Sequence, residues 1–277
     1  MSAPNPHDDL RATVREAVAS LGSPPTSSDA RTSDLSLDEE LNLHAIGWEA
    51  VELVSGYSVF SIPMGAWSWG QGEITAATEA QVQAFSGAAR RLHHEAAAAG
   101  GHGVVGVHIE RSTFLTHIAV SLIGTAIRPI GASRVGDDRV FVSDLSARDF
   151  SRLVLAGWEP LGLATGTSFV YAPRRTIGAA LAQQSQNVEL TNFTEAIYAA
   201  RELAMDRMQQ SAISLHGSGV VEVKVLEGPM AFASHAVGFT AWGTVVRLVA
   251  DEHRRMRPSL VVSLNDSLVT FEAATLG

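Results

Sequence analysis

Ser33-Asp34-Leu35-Ser36, followed by Gly47-Trp48-Glu49, returns as Ser143-Asp144-Leu145-Ser146 and Gly157-Trp158-Glu159 at a single offset of 110 residues. Leu53, Gly56 and Ser58 keep that offset to Leu163, Gly166 and Ser168. Farther on the offset is 116: Arg91 and Ala96 match Arg207 and Ala212, and Gly101-x-Gly103-Val104-Val105-x-Val107 matches Gly217-x-Gly219-Val220-Val221-x-Val223. It reaches 119 where Gly124-Thr125 and Arg128 meet Gly243-Thr244 and Arg247. Motifs recurring in one order over most of a chain mark a duplicated structural unit. The two steps in offset are loop insertions in the second copy.

Each copy reads as the same succession of elements. Ser36-x-x-Glu39 is a capping box that opens a short helix to about Ala45, and Gly47 supplies a left-handed stop; Ser146-x-x-Asp149 and Gly157 repeat the layout. A β-rich run follows, Val51 to Ile62 and then Leu161 to Tyr171, each broken by a glycine that marks a bulge or bend. A long helix comes next. Phe85, Ala88, Leu92, Ala96 and Ala99 share one face in the first copy, and Ile197, Ala200, Ala204, Met208 and Ala212 in the second, with Thr78-x-x-Gln81 and Asn192-x-x-Glu195 as expected starts. Two strands close the unit, Val104 to Glu110 with Phe114 to Ile127, and Val220 to Glu227 with Met230 to Val246. The fold class is α+β: two tandem units, each a short helix and then a three-stranded antiparallel sheet built from a strand, a long helix and a β-hairpin. Such a sheet has one covered face and two open edges, and open edges are normally paired or covered.

The units span residues 33–134 and 143–250. Residues 1–32 form a flexible N-terminal segment with a helix from Asp9 to Leu21 and a Pro/Ser-rich linker, a candidate docking peptide for a protein partner. Residues 251–277 form a C-terminal tail with an edge strand expected around Leu260 to Leu264.

Composition narrows the function. Lys and Arg number 20 against 29 Asp and Glu, a formal charge of −9 with no basic block, which argues against a nucleic-acid-binding face. No basic leader precedes an apolar run, and no stretch is apolar enough to insert in a membrane, so the expected location is the cytoplasm. There is no cysteine, which removes disulfides and thiolate metal sites.

In this order, the Ser-Asp-Leu-Ser helix start, Gly-Trp-Glu with x-Leu-x-x-Gly-x-Ser, the Arg-containing helix, the Gly-x-Gly-Val-Val strand and Gly-Thr-x-x-Arg resemble the YbjQ-like heavy-metal-binding domain family. The tandem form is the actinobacterial two-repeat one. The resemblance covers roughly residues 33 to 130 and 143 to 250. It implies a dodecin-like subunit and homo-oligomeric rings, pentamers in single-domain members.

Among candidate sites, Gly101-His102-Gly103-Val104-Val105-Gly106 matches a dinucleotide fingerprint but stands between a helix and a strand, the reverse of the order that presents a helix N-terminus to a pyrophosphate. If the hairpin turns near Ser112, His108 and His117 lie opposite each other on one face, ~5 Å apart. With Glu110 or a symmetry-related copy they form a candidate site for Zn, Ni or Cu; otherwise they are ordinary strand histidines. Trp67 and Trp69, in the loop Met64 to Gly72, are either a plug over the core or a contact for a partner or ligand. No Gly-x-Ser-x-Gly elbow, HExxH helix or P-loop occurs. The expected function is therefore a non-enzymatic, self-assembling homo-oligomer with any ligand at subunit interfaces, the alternative being a His-based transition-metal-binding protein for sequestration or sensing.

Overall fold

The computed structural model describes residues 32–63, 72–114, 116–172, 190–230 and 233–254. The expected helix Asp9 to Leu21, Trp67 and Trp69, and the strand around Leu260 to Leu264 lie outside the described residues. In chain order the elements are α1 (Leu37–Ala45), β1 (Trp48–Ser61), β2 (Gly72–Glu73), α2 (Thr75–Ala99), β3 (Gly103–Phe114), β4 (His117–Pro129), β5 (Phe141–Val142), α3 (Ala147–Leu155), β6 (Trp158–Tyr171), α4 (Thr191–Ser214), β7 (Gly219–Met230) and β8 (Ala233–Leu248).

The short helices start where the capping residues require. The Ser36 hydroxyl accepts the Glu39 amide at 3.3 Å, and the Glu39 carboxylate accepts the Ser36 amide at 3.0 Å, so both halves of the capping box are made. Ser146 does half of this, accepting the Asp149 amide at 3.1 Å. Gly47 and Gly157, at φ +79° and +87°, turn the chain from helix into strand.

The long helices begin earlier than expected, after Ile74 and Leu190, with nearly the same backbone angles (φ −87°, ψ 79° and φ −84°, ψ 72°) and no side-chain cap. Thr78 is not a cap because its hydroxyl is engaged elsewhere, accepting the Phe169 amide at 3.1 Å. The expected buried faces hold at Ala88, Leu92 and Ala96 and at Ala200, Ala204, Met208 and Ala212. Ile197 is an exception: it is exposed, and Ala196 takes the inward position.

β1, β4 and β3 form one antiparallel sheet and β6, β8 and β7 the other, with bulges at matching places: between Ala50 and Glu52 and between Pro160 and Gly162, and again between Val105 and His108 and between Val221 and Lys224. Each sheet has a fourth strand where three were expected. β5, which leads into the second copy, lies parallel to β3 of the first; β2, from the first copy, lies antiparallel to β6 of the second. The two copies therefore exchange short edge strands.

Each long helix touches its sheet at a glycine. A Cβ on Gly56 would lie 2.0 Å from the Ala88 carbonyl oxygen, and one on Gly166 would lie 1.9 Å from that of Ala204. The alanine-rich helix faces and these glycines let backbones approach more closely than branched side chains allow. The cores are not separate: Phe169 and Ala236 of the second sheet are buried in the cluster under α2. A smaller cluster joins Leu43 of α1 to Phe150 and Ala147 of α3, and there the Trp48 ring meets Phe150 edge-on at 5.2 Å.

Gly56→Ala and Gly166→Ala each place a methyl inside a backbone atom's radius. Each is expected to cost about 1–3 kcal/mol or more and lower Tm by several degrees, read by thermal unfolding; unchanged melting for either variant would contradict the close approach.

Candidate functional site at the junction of the two copies

Two sets of contacts hold the copies together. In the first, the segment after β5 runs along the bulge of β3. The Ser143 amide donates to the Val104 carbonyl at 2.9 Å, the Gly106 amide to the Leu145 carbonyl at 2.7 Å, and the Val107 amide to the Ser143 carbonyl at 3.1 Å. Gly106 sits at φ +65°, the left-handed conformation that turns its amide outward at the bulge. The side chains of the same segment face their own copy. The Thr244 hydroxyl donates to the buried Asp144 carboxylate at 2.7 Å and lies 2.9 Å from the Ser143 hydroxyl. Lys224 pairs with Asp144 at 3.2 Å and with Glu222 at 3.1 Å. Burial works to lower the Lys224 pKa, but the two carboxylates outweigh it and hold it above the ordinary value.

In the second set, β2 and the start of α2 dock on the outer edge of β6. The Ile74 amide donates to the Phe169 carbonyl at 2.7 Å. Glu73 then meets Arg207 of α4 in a two-pronged ion pair, with one oxygen 2.8 Å from the second guanidinium nitrogen. It also accepts from the Ser168 hydroxyl at 2.8 Å and the Thr78 hydroxyl at 3.0 Å. These donors, Arg207 first, hold the Glu73 carboxyl below the usual carboxylate range against the opposing effect of burial, and Glu73 raises Arg207 in return.

Beside this node lies a cleft of about 440 Å³ between α2 and the second copy, with Gln81, Phe85, Thr165, Arg207, Gln210 and Thr240 on its walls. Arg111 reaches toward the same region from β3. Its guanidinium stands 5.7 Å from the centre of the Phe169 ring, and burial pushes its pKa down.

The histidines fall differently from the sequence expectation. The hairpin turns beyond Phe114 rather than near Ser112, so His117 lies opposite Phe114 and His108 opposite Ile123. With six residues of strand between those positions, at ~3.4 Å each, the two imidazoles are ~20 Å apart along the hairpin. His108 keeps company with Glu110 at 3.4 Å, both exposed. Among the described residues no three metal-ligating side chains gather. His93 is half-buried against the turn at Asp137 to Val140, and burial lowers its pKa; His94 beside it is exposed and pairs with Asp137 at 2.9 Å.

No family model matches the chain. The encapsulin nanocompartment protein Rv1762c of Mycobacterium tuberculosis is 33% identical over 241 residues, 84% of this chain and 92% of that protein. This chain belongs to the Rv1762c family. An alignment of that length must run through both copies, so the duplication belongs to the family and not to this chain alone. A UPF0145 protein of Halorubrum lacusprofundi is 33% identical over 93 residues, which is 32% of this chain and 85% of that shorter protein. That match is about the length of one copy. No helix among the described residues is long and apolar enough to cross a membrane.

Sequence reading missed Glu73 as a junction residue. It did single out Ser143, Asp144, Ser168, Arg207 and Thr244, though only as markers of the repeat, and Thr78, though only as a helix start. Because the native pKa of Glu73 is depressed, its contribution to stability is full above the ordinary carboxylate range and is lost as pH falls through its lowered value. The urea midpoint of the protein is expected to drop between about pH 5 and pH 3, whereas Glu73→Gln starts lower and varies less with pH over that window. Parallel curves for the two proteins would contradict the role given to Glu73.

Proposed function

We propose that this protein is a non-enzymatic structural subunit that assembles with copies of itself into a homo-oligomer, and that the oligomer belongs to a nanocompartment of the kind for which Rv1762c is named. The observation that carries this is the edge-strand exchange. Inside the chain each sheet covers one of its edges with a strand from the other copy, while among the described residues no strand pairs with the outer edges of β1 and β7, which carry the exposed side chains Val59, Phe60, Val223 and Val225. Long, partly apolar open edges pair with another chain. The relationship to a protein named for an encapsulin nanocompartment supports assembly as the purpose of that pairing. The tandem YbjQ-like reading is supported by the UPF0145 relative and leads to the same kind of assembly.

Metal sequestration is the weaker reading, since the register separates His108 from His117 and, among the described residues, His108 meets Glu110 in no cluster of three metal-ligating side chains. Native mass spectrometry with and without chelator separates the two. The expected result is a discrete oligomer, with no monomer at micromolar concentration, whose mass chelator leaves unchanged. A monomer would refute assembly, and a stoichiometric metal mass removed by chelator would replace it with the histidine reading.

A further inference from the structure

Two buried polar groups where the copies meet have no hydrogen-bond partner among the described residues. Gln81 of α2 is 3% exposed, and its side-chain oxygen accepts no hydrogen bond. On Arg111 of β3, Nε and Nη1 are buried and donate to no acceptor. The Phe169 ring, 5.7 Å from the guanidinium, attracts the charge but offers these N–H groups no lone pair. Buried polar groups are nearly always hydrogen-bonded, and a buried charge without a partner is costlier still. The fold itself requires neither group. At the offset of 116 that relates α2 to α4 and β3 to β7, Gln81 corresponds to Ile197 and Arg111 to Glu227, so the second copy builds the same elements without them.

Both groups line one narrow pocket of about 20 Å³, room for a water molecule or a single functional group. That pocket shares Gln81, Phe85, Thr165 and Thr240 with the cleft of about 440 Å³ beside the Glu73–Arg207 node. A polar recess therefore adjoins a chamber of the size that holds small organic ligands. The rest of the recess is largely apolar, with Phe85, Ile109, Leu226 and Trp242 on its walls. Charge narrows the choice of occupant. Arg207, the cation on the wall of the larger cleft, is neutralised by Glu73, whereas among the described residues no carboxylate pairs with Arg111.

We infer that this cleft binds a small α-hydroxycarboxylate with an apolar body, its carboxylate on Arg111 and its hydroxyl donating to the Gln81 side-chain oxygen. A carboxylate is planar and acceptor-only, matches a guanidinium in shape, and supplies the single negative charge that Arg111 lacks. The hydroxyl supplies the donor that Gln81 lacks, and it stands next to the carboxylate because both protein groups line so small a recess. An ammonium group in its place would also donate, but it would leave a positive charge uncompensated again. A phosphate dianion brings more charge than Arg111 balances and more bulk than the recess holds. The apolar body lies against Phe85 and Trp242. Gln81, Phe85 and Arg111 come from the first copy and Thr165, Thr240 and Trp242 from the second, so the ligand bridges the junction. This site goes beyond the assembly proposed above and does not depend on it.

The test is titration calorimetry of the full chain with lactate, hydroxyisocaproate and phenyllactate. Saturable binding is expected to tighten along that series, reaching a Kd of about 1 mM or lower for phenyllactate. Phenylpropionate, which lacks the hydroxyl, and phenyllactamide, which lacks the charge, should each bind at least about tenfold more weakly. Arg111→Met should weaken phenyllactate binding by at least about tenfold. Because it also removes an unpaired buried charge, the variant is expected to melt no lower than the wild type without ligand, which checks its fold. Gln81→Leu is an independent second variant, expected to lose the preference for phenyllactate over phenylpropionate. The inference is overturned if none of the three hydroxy acids binds saturably up to about 10 mM, the recess then holding water alone. It is overturned equally if phenyllactate binding survives Arg111→Met, or if inorganic phosphate binds as tightly and displaces it.

Discussion

The segment from Phe141 to Leu145 is bound on two sides at once, and the arrangement of the whole chain depends on that. Its backbone completes the edge of the first sheet, and its Ser143 and Asp144 side chains are fastened to Thr244 in the second. A covalent linker alone would leave the sheets free to turn about one another. A strand whose amides belong to one sheet and whose side chains belong to the other fixes their relative orientation, and the Glu73–Arg207 node restrains the opposite side of the same junction. The merged core under α2 and the aromatic cluster between α1 and α3 can form only once that orientation is set.

Much of the fold was legible because it is written twice. The capped helices, the glycine at each helix–strand crossing and the hairpins all follow from local rules that act within a few residues, and the repeat tells which matches are meaningful. The exchanged strands were not legible. Two residues such as Gly72 and Glu73 carry no periodicity, and a parallel pairing of Phe141 and Val142 with Gly103 and Val104 depends on how two units sit together, which local patterns do not encode.

The candidate site shows the same division. Placing the hairpin turn near Ser112 put His108 opposite His117, and a turn a few residues later separates them, because a hairpin register doubles any error in the position of its turn. The junction residues carried a signal of another kind. The markers Ser143, Ser168, Arg207 and Thr244 that revealed the duplication bind across or beside the junction, and one of their contacts is repeated in the first copy, where Thr125 meets Asp34 as Thr244 meets Asp144. Thr78 stood as a helix start, a reasonable local reading of a hydroxyl near a helix terminus, and its actual partner lies in the other copy.

Joining two units in one chain also has a consequence for symmetry. Where chains of two such units close a ring, the units come in pairs, so the ring holds an even number of them and two unlike kinds are present in equal number. One kind carries His108 and Gly106 at the bulge; the other carries Lys224 and Glu222. Such a ring would thus carry imidazole and ammonium groups at equivalent places in equal number, a two-fold coarser pattern than a ring of identical single units can display.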